Sequence, residues 1–226
     1  MSFENKEQFL IHTKKHIENV NILAEELIQN VFESSLMSKK GIKPSEELKN
    51  SILRTIKLHD RAKTEDSPDF LDIHNLEKPF YEVLYECAGK ELTGENRDII
   101  KRLNDLDKLV TTIALTKEGL NQNERELYFF IEATTDIVER GCNPITPIEL
   151  GRETLKAHSF IKKLPKTISD NILKTEVDNE VMSLIQNLES FYDENILFKQ
   201  IQFKNDLFKN TNKNINTFKT PRFKIK

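Results

Sequence analysis

The sequence predicts an all-α protein, and three observations carry that expectation. Apolar residues recur at spacings of three and four along most of the chain, the period of one helix face, while the strict alternation of a half-buried strand is rare. Only six glycines and seven prolines interrupt the 226 residues. Leu, Ile, Lys and Glu dominate, a composition that favours helix.

The elements follow in order. From about Glu4 to Phe32, Ile17, Val20, Leu23, Ala24, Leu27, Ile28 and Val31 line one face and predict a first long helix. The run "SSLMSKKGIKP" has no periodic apolar face and reads as a connection. Ser45, just after Pro44, is placed to cap a second helix from Glu46 to about Asp60, with Leu48, Ile52, Ile56 and His59 as its stripe. "AKTEDSPDFLDIHNLEKP" is acidic, holds two prolines and reads as a long loop. A short apolar helix follows from Phe80 to about Lys90, then a longer one from Asn96 to about Lys117, broken at Gly119. Glu124 to Arg140 reads as helix stopped by Gly141. The next helix has Thr146 as N-cap with Glu149 three residues on. A final long helical pattern starts at Ser169 or Asp170 and continues through Phe208 with a break near Asp193.

Pro165 marks the boundary the sequence suggests. Residues 1–164 read as the core helical domain, 165–208 as a C-terminal helical extension packing on the core or on a second subunit, as in a homodimer, and 209–226 as a basic, flexible, asparagine-rich tail. A net charge of −3 does not suit a nucleic-acid binder. The absence of any long apolar run leaves nothing to span a membrane, and the acidic, polar N-terminus does not read as a secretory signal. Cys87 and Cys142 stand apart without metal-site spacing, which suits buried thiols in a reducing, cytoplasmic setting.

Three segments set ionisable groups against apolar faces. His16 shares its helical face with Val20, Leu23, Leu27 and Val31, and is either a core histidine satisfied by a hydrogen bond or a ligand. His59 continues the second helix's stripe and Asp60 follows it. Adjacent helical residues diverge by about 100°, so both reach one ion only near a helix end. Asp107 lies in the seam Ile100, Leu103, Val110 and Ala114, whereas Asp105 falls on the polar side. A carboxylate in an apolar seam needs a compensating charge, and a metal ion or a Lys or Arg supplies it equally well. Two imidazoles and two carboxylates suit Mn, Fe, Co or Zn, with Mg less favoured by imidazole.

This order of His, His-Asp and Asp resembles the HD-domain superfamily of metal-dependent phosphohydrolases. "HIENV" is similar to the family's first motif, "LHDRAK" to its HD-x-x-K form and "LDKLVTT" to its last motif, over roughly residues 9–120. The resemblance implies an HD-like compact helical bundle. It also implies a divalent ion held by His16, His59, Asp60 and Asp107, with Asp60 orienting the attacking water and Lys63 on a substrate phosphate, most naturally that of a nucleotide. Nucleotidases of the superfamily often carry Glu where this chain has Lys63, while Glu118 in "DKLVTTIALTKE" is similar to their later motif. The departure at Lys63 leaves room for a different function, a regulatory protein that binds a nucleotide or a partner on this scaffold without turnover.

Overall fold

Helices with apolar stripes bury them against one another, and the computed structural model, which describes residues 6–58, 101, 105, 108, 111–143 and 147–214, has five α-helices of eleven or more residues and a short one among its named elements. They are α1 (Lys6–Glu33), α2 (Ser35–Lys39), α3 (Glu46–Ile56), α4 (Gln122–Cys142) and α5 (Pro147–Thr167). A π-helical turn (Ile168–Leu173) and the long α6 (Asn179–Asn214) complete them. Among the described residues there is no strand, so the fold is an all-α bundle. No described helix is long and apolar enough to cross a membrane.

The α1 stripe behaves as its periodicity demands: Val20, Ala24, Ile28 and Val31 are wholly buried. They share one core with Leu48, Ile52 and Ile56 of α3, Leu127 and Ile131 of α4, Leu164 of α5 and Val181 and Ile185 of α6. Ser45 caps α3, its hydroxyl accepting from the Leu48 amide at 3.1 Å. Asn121 and Glu124 close a reciprocal capping box at the start of α4, which satisfies two of the amides a helix start leaves over. Gly119 turns the chain with φ +69°.

Several boundaries differ from the sequence expectation. The connection after α1 contains α2, because Ser34 caps it and Leu36 and Met37 are buried; two apolar residues are too few to show a period. The helix expected to reach Asp60 ends at Ile56, with a turn over Lys57 and Leu58. Gly141 does not stop α4 but lies inside it. Pro165 does not end α5, and the residues after it pack into the same core as those before it. The final helix begins only at Asn179, after Lys174 reverses the chain in a left-handed conformation, and runs unbroken past Asp193 to Asn214. The asparagine-rich segment is therefore helical as far as Asn214, since extending an existing helix costs far less than nucleating one. Ile113, expected on the apolar side, is 47% exposed, and Leu115 is buried in its place. The helix expected at Phe80–Lys90 and the cap at Thr146 lie outside the described residues.

Two polar clasps hold α2. Asp178 caps α6 by accepting from the Val181 amide at 3.0 Å, accepts from the Ser35 hydroxyl at 2.7 Å and pairs with Lys39 at 2.6 Å. The Lys39 ammonium, then the hydrogen bonds from Ser35 and Val181, hold its carboxyl well below the usual carboxylate range. Lys40 pairs with Glu126 of α4 and donates to the Ile172 carbonyl at 2.8 Å. That carbonyl lies in the π-helical turn, where the regular hydrogen-bond pattern changes.

Gly141 explains why a glycine sits mid-helix. A Cβ there would lie 2.7 Å from Tyr192 Cε2 and 2.8 Å from Ala157 Cβ. Tyr192, 1% exposed, occupies that space and donates to the Thr154 carbonyl at 3.0 Å. Gly141→Ala is expected to destabilise the fold by about 1–3 kcal/mol through overpacking. Gly151→Ala, at an exposed helical glycine facing open space, is expected to raise stability by about 0.5–1 kcal/mol. Urea unfolding of the two variants checks both signs.

Candidate functional site

His16 is buried on the inner face of α1, 7% exposed, as its place in the stripe requires. Its surroundings come from α4, about 120 residues away in sequence. Nδ1 is hydrogen-bonded to Glu139 Oε2, and Nε2 lies 3.1 Å from Asp136 Oδ1. Glu139 is 2% exposed. Its second oxygen accepts from Asn19 at 2.9 Å and from Asn143 at 3.0 Å. Arg140 donates to Asp136 Oδ1 at 2.9 Å from the solvent side.

These contacts determine the charge of the imidazole. Burial alone, the largest single effect, would lower its pKa. The hydrogen bonds to Asp136 and Glu139, with the charges of both carboxylates, together outweigh burial and raise it from 6.5 to about 9. His16 is thus an imidazolium at neutral pH, donating from both nitrogens. With Arg140 the cluster holds two cations against two carboxylates, which is how a buried charged group becomes tolerable. Cys142, one turn past Val138, has its thiol pushed up to about 12 by burial and by the nearby Glu139 charge. It is an inert thiol in the small apolar cluster with Ala157, Ile161 and Tyr192.

The donor types around His16, one imidazole and two carboxylates, are those of a divalent-ion site. The arrangement is not: the carboxylates occupy opposite nitrogens of the ring and leave no lone pair for an ion. Among the described residues no group of three His, Cys, Asp or Glu is disposed to hold a metal. His59, Asp60, Lys63 and Asp107 lie outside the described residues, as does His74. Asp105 is helical and exposed, on the polar side as expected. Ala114, at the end of the Asp107 seam, is buried. His158 is half-buried on α5.

A second charged contact bears on the same motifs. Arg54 of α3 grips Glu118 with two parallel bonds, Nε to Oε1 at 2.9 Å and Nη2 to Oε2 at 2.6 Å, and also donates to Ser51. The Arg54 hydrogen bond, the largest influence, lowers the Glu118 pKa. This fork ties the helix that leads to His59-Asp60 to the end of the helical stretch 111–117 that follows Asp107. Glu118, singled out by its resemblance to a nucleotidase motif, is engaged here by Arg54.

Asp136, Glu139, Asn19 and Asn143 were not singled out by the sequence reading. Glu139 carried a usable signal: it falls four residues after buried Thr135 and three before buried Cys142, so it lies in the α4 seam. Comparison with models of protein families, with curated proteins and with solved structures finds no match to the chain.

The cluster predicts a pH dependence whose sign follows from the raised pKa. The folded value of about 9 exceeds the unfolded 6.5, so the stabilisation is complete below pH 6.5 and is lost as pH rises through about 9. At about 1.4 kcal/mol per pKa unit the loss is on the order of 3 kcal/mol. Urea unfolding of the native chain at pH 6 and pH 9.5 is expected to show this fall. In His16→Gln the fall disappears, on a lower starting stability.

Proposed function

We propose that the chain is a metal-dependent phosphohydrolase of HD type acting on a phosphate ester, most naturally that of a nucleotide. The reading rests on the order His16, His59-Asp60, Asp107 in the sequence, with Lys63 three residues past Asp60. The structural observation that carries it further is the Arg54–Glu118 fork. It fastens the helix that ends three residues before His59 in the sequence to a residue eleven positions after Asp107. A bound divalent ion would neutralise phosphate charge and acidify a water. Of the chain's own residues, Asp60 would orient that water and Lys63 would hold the phosphate. His59, Asp60 and Asp107 supply the principal ligands, and His16 joins them only by giving up its proton and a carboxylate partner. A second copy of the chain would dock on α6, where Leu197 and Ile201 are 60% and 49% exposed.

One observation favours a second reading. Both His16 nitrogens are already bound to carboxylates, which suits an HD-like scaffold that binds a nucleotide or a partner without turnover. Elemental analysis and an assay separate the two. The hydrolase reading expects about one or two divalent ions per chain and turnover of at least one class among nucleoside mono-, tri- and cyclic phosphates. Asp60→Ala is expected to lower that turnover about a hundredfold or more. A stable, metal-free chain that hydrolyses none of these after metal addition would establish the binder instead. Full activity in Asp107→Ala would remove Asp107 from the site.

A further inference from the structure

The two helices that flank α4 carry opposite charge outward. α1 meets α4 at Glu139, through His16 and Asn19, and α5 approaches it at Gly141, through Ala157. Two residues along a helix are about 200° apart round it. α1 and α5 therefore lie on opposite sides of α4, and their outer faces point apart. On α1 the exposed charges after Lys15 are Glu18, Glu25, Glu26 and Glu33, with Ile22 among them, 55% exposed. No lysine or arginine of α1 follows Lys15, although Lys49 of α3 stands 3.8 Å from Glu25. On α5 the outer face holds Arg152, Lys156, Lys162, Lys163 and Lys166, with Leu155 among them, 72% exposed. Glu153, at the edge of that face, binds Arg152 and Lys156. Among the described residues, Lys162, Lys163 and Lys166 take part in no ion pair.

We propose that the acidic face of α1 on one copy of the chain docks on the basic face of α5 on another. Both halves of the contact are present in this sequence, and they match in length and register. Glu18 to Glu33 spans about 22 Å of helix and Arg152 to Lys166 about 21 Å. With the two helices parallel and Ile22 against Leu155, Glu33 falls opposite Lys166, since each lies eleven residues further on. Glu18 falls beside Arg152, and Glu25 and Glu26 fall between Lys156 and Lys162. The two aliphatic side chains then cover each other within a contact otherwise made of charge. Because the two faces point apart, the contact is heterologous: a copy docked through its α1 leaves its own α5 open for the next. Exposed ion pairs contribute little each, so the association is weak, with a dissociation constant on the order of 0.1 mM. The contact shares no residue with the hydrolase reading or with docking on α6.

Sedimentation of the full chain from about 10 μM to about 1 mM tests it. The average mass is expected to rise steadily with concentration at about 0.05 M salt, and the association to weaken at least about tenfold at about 0.5 M salt. Glu18→Gln with Glu25→Gln and Glu33→Gln neutralises one face, and Lys162→Gln with Lys163→Gln and Lys166→Gln the other. Each triple variant alone is expected to lose the association by about tenfold or more. Mixed in equal amounts, the two are expected to regain it but to stop at pairs, since each brings one intact face. All six positions are exposed, so both variants are expected to keep the fold, which circular dichroism checks. Leu197→Ser with Ile201→Ser is expected to leave the association unchanged. A mixture that associates no better than its components overturns the proposal. So does a mass independent of concentration in the native chain at low salt, or loss of the association in the α6 variant.

Discussion

The contact between α1 and α4 rests on a positive charge placed where apolar surface would be expected. His16 lies on the inner face of α1 and holds Asp136 and Glu139 of α4 at its two nitrogens. Such a cluster adds little stability over a well-packed apolar seam, because desolvating three charged groups costs about what their attraction returns. What it adds is specificity. Glu139 is bonded through both oxygens, to His16 on one side and to Asn19 and Asn143 on the other. Sliding either helix by a turn would strand a carboxylate in the core. The register of α1 against α4 therefore follows from hydrogen bonding, and the aliphatic packing above it follows from that register.

The rest of the bundle is arranged around α4. Its first turn is tied to α2 through Lys40, whose ammonium reaches Glu126 and whose backbone carbonyl accepts from Asn123 at 2.9 Å. Its last turn is tied to α6 by shape and apolar contact, since only a side chain no larger than hydrogen at Gly141 lets Tyr192 close over the helix. Between these ends, apolar burial does the work: Leu127 and Ile131 share the core with α1 and α3 residues. Polar clasps and steric fit position α4 at both ends, and the hydrophobic effect holds its middle, where direction matters less.

Much of this was legible in the sequence, for identifiable reasons. The α1 and α3 stripes and the Ser45 cap are local signals, carried by residues within a turn or two of one another. Gly141 was misread because a helix-stopping glycine and a glycine required by a distant tyrosine look alike in sequence, and the difference lies fifty residues away in Tyr192. The run to Asn214 was misjudged because local propensity ignores an already formed helix upstream. At His16 the seam argument correctly placed an ionisable group inward and required a partner for it. It could not supply the partner's chemistry: a counter-charge from a remote helix and a metal ion satisfy the same electrostatic demand. The same gap applies to Asp107, which the seam rule selected on identical grounds.

Thr134 and Glu139 sit little more than a turn apart on α4 and meet the cost of burial in opposite ways. Glu139, with the higher desolvation cost, has every oxygen engaged by groups of this chain. Thr134, whose hydroxyl the preceding turn could satisfy as it does for Thr135, is left without a partner. If incomplete satisfaction were a general looseness of the fold, the costlier group would be the one to suffer it, because an unpaired carboxylate is far more expensive than an unpaired hydroxyl. The opposite is observed. Polarity that the fold needs for its own register is closed internally. Neutral polarity, cheaper to bury, is what stays open, at Thr134 and equally at Asn21 Oδ1 and Thr154 Oγ1.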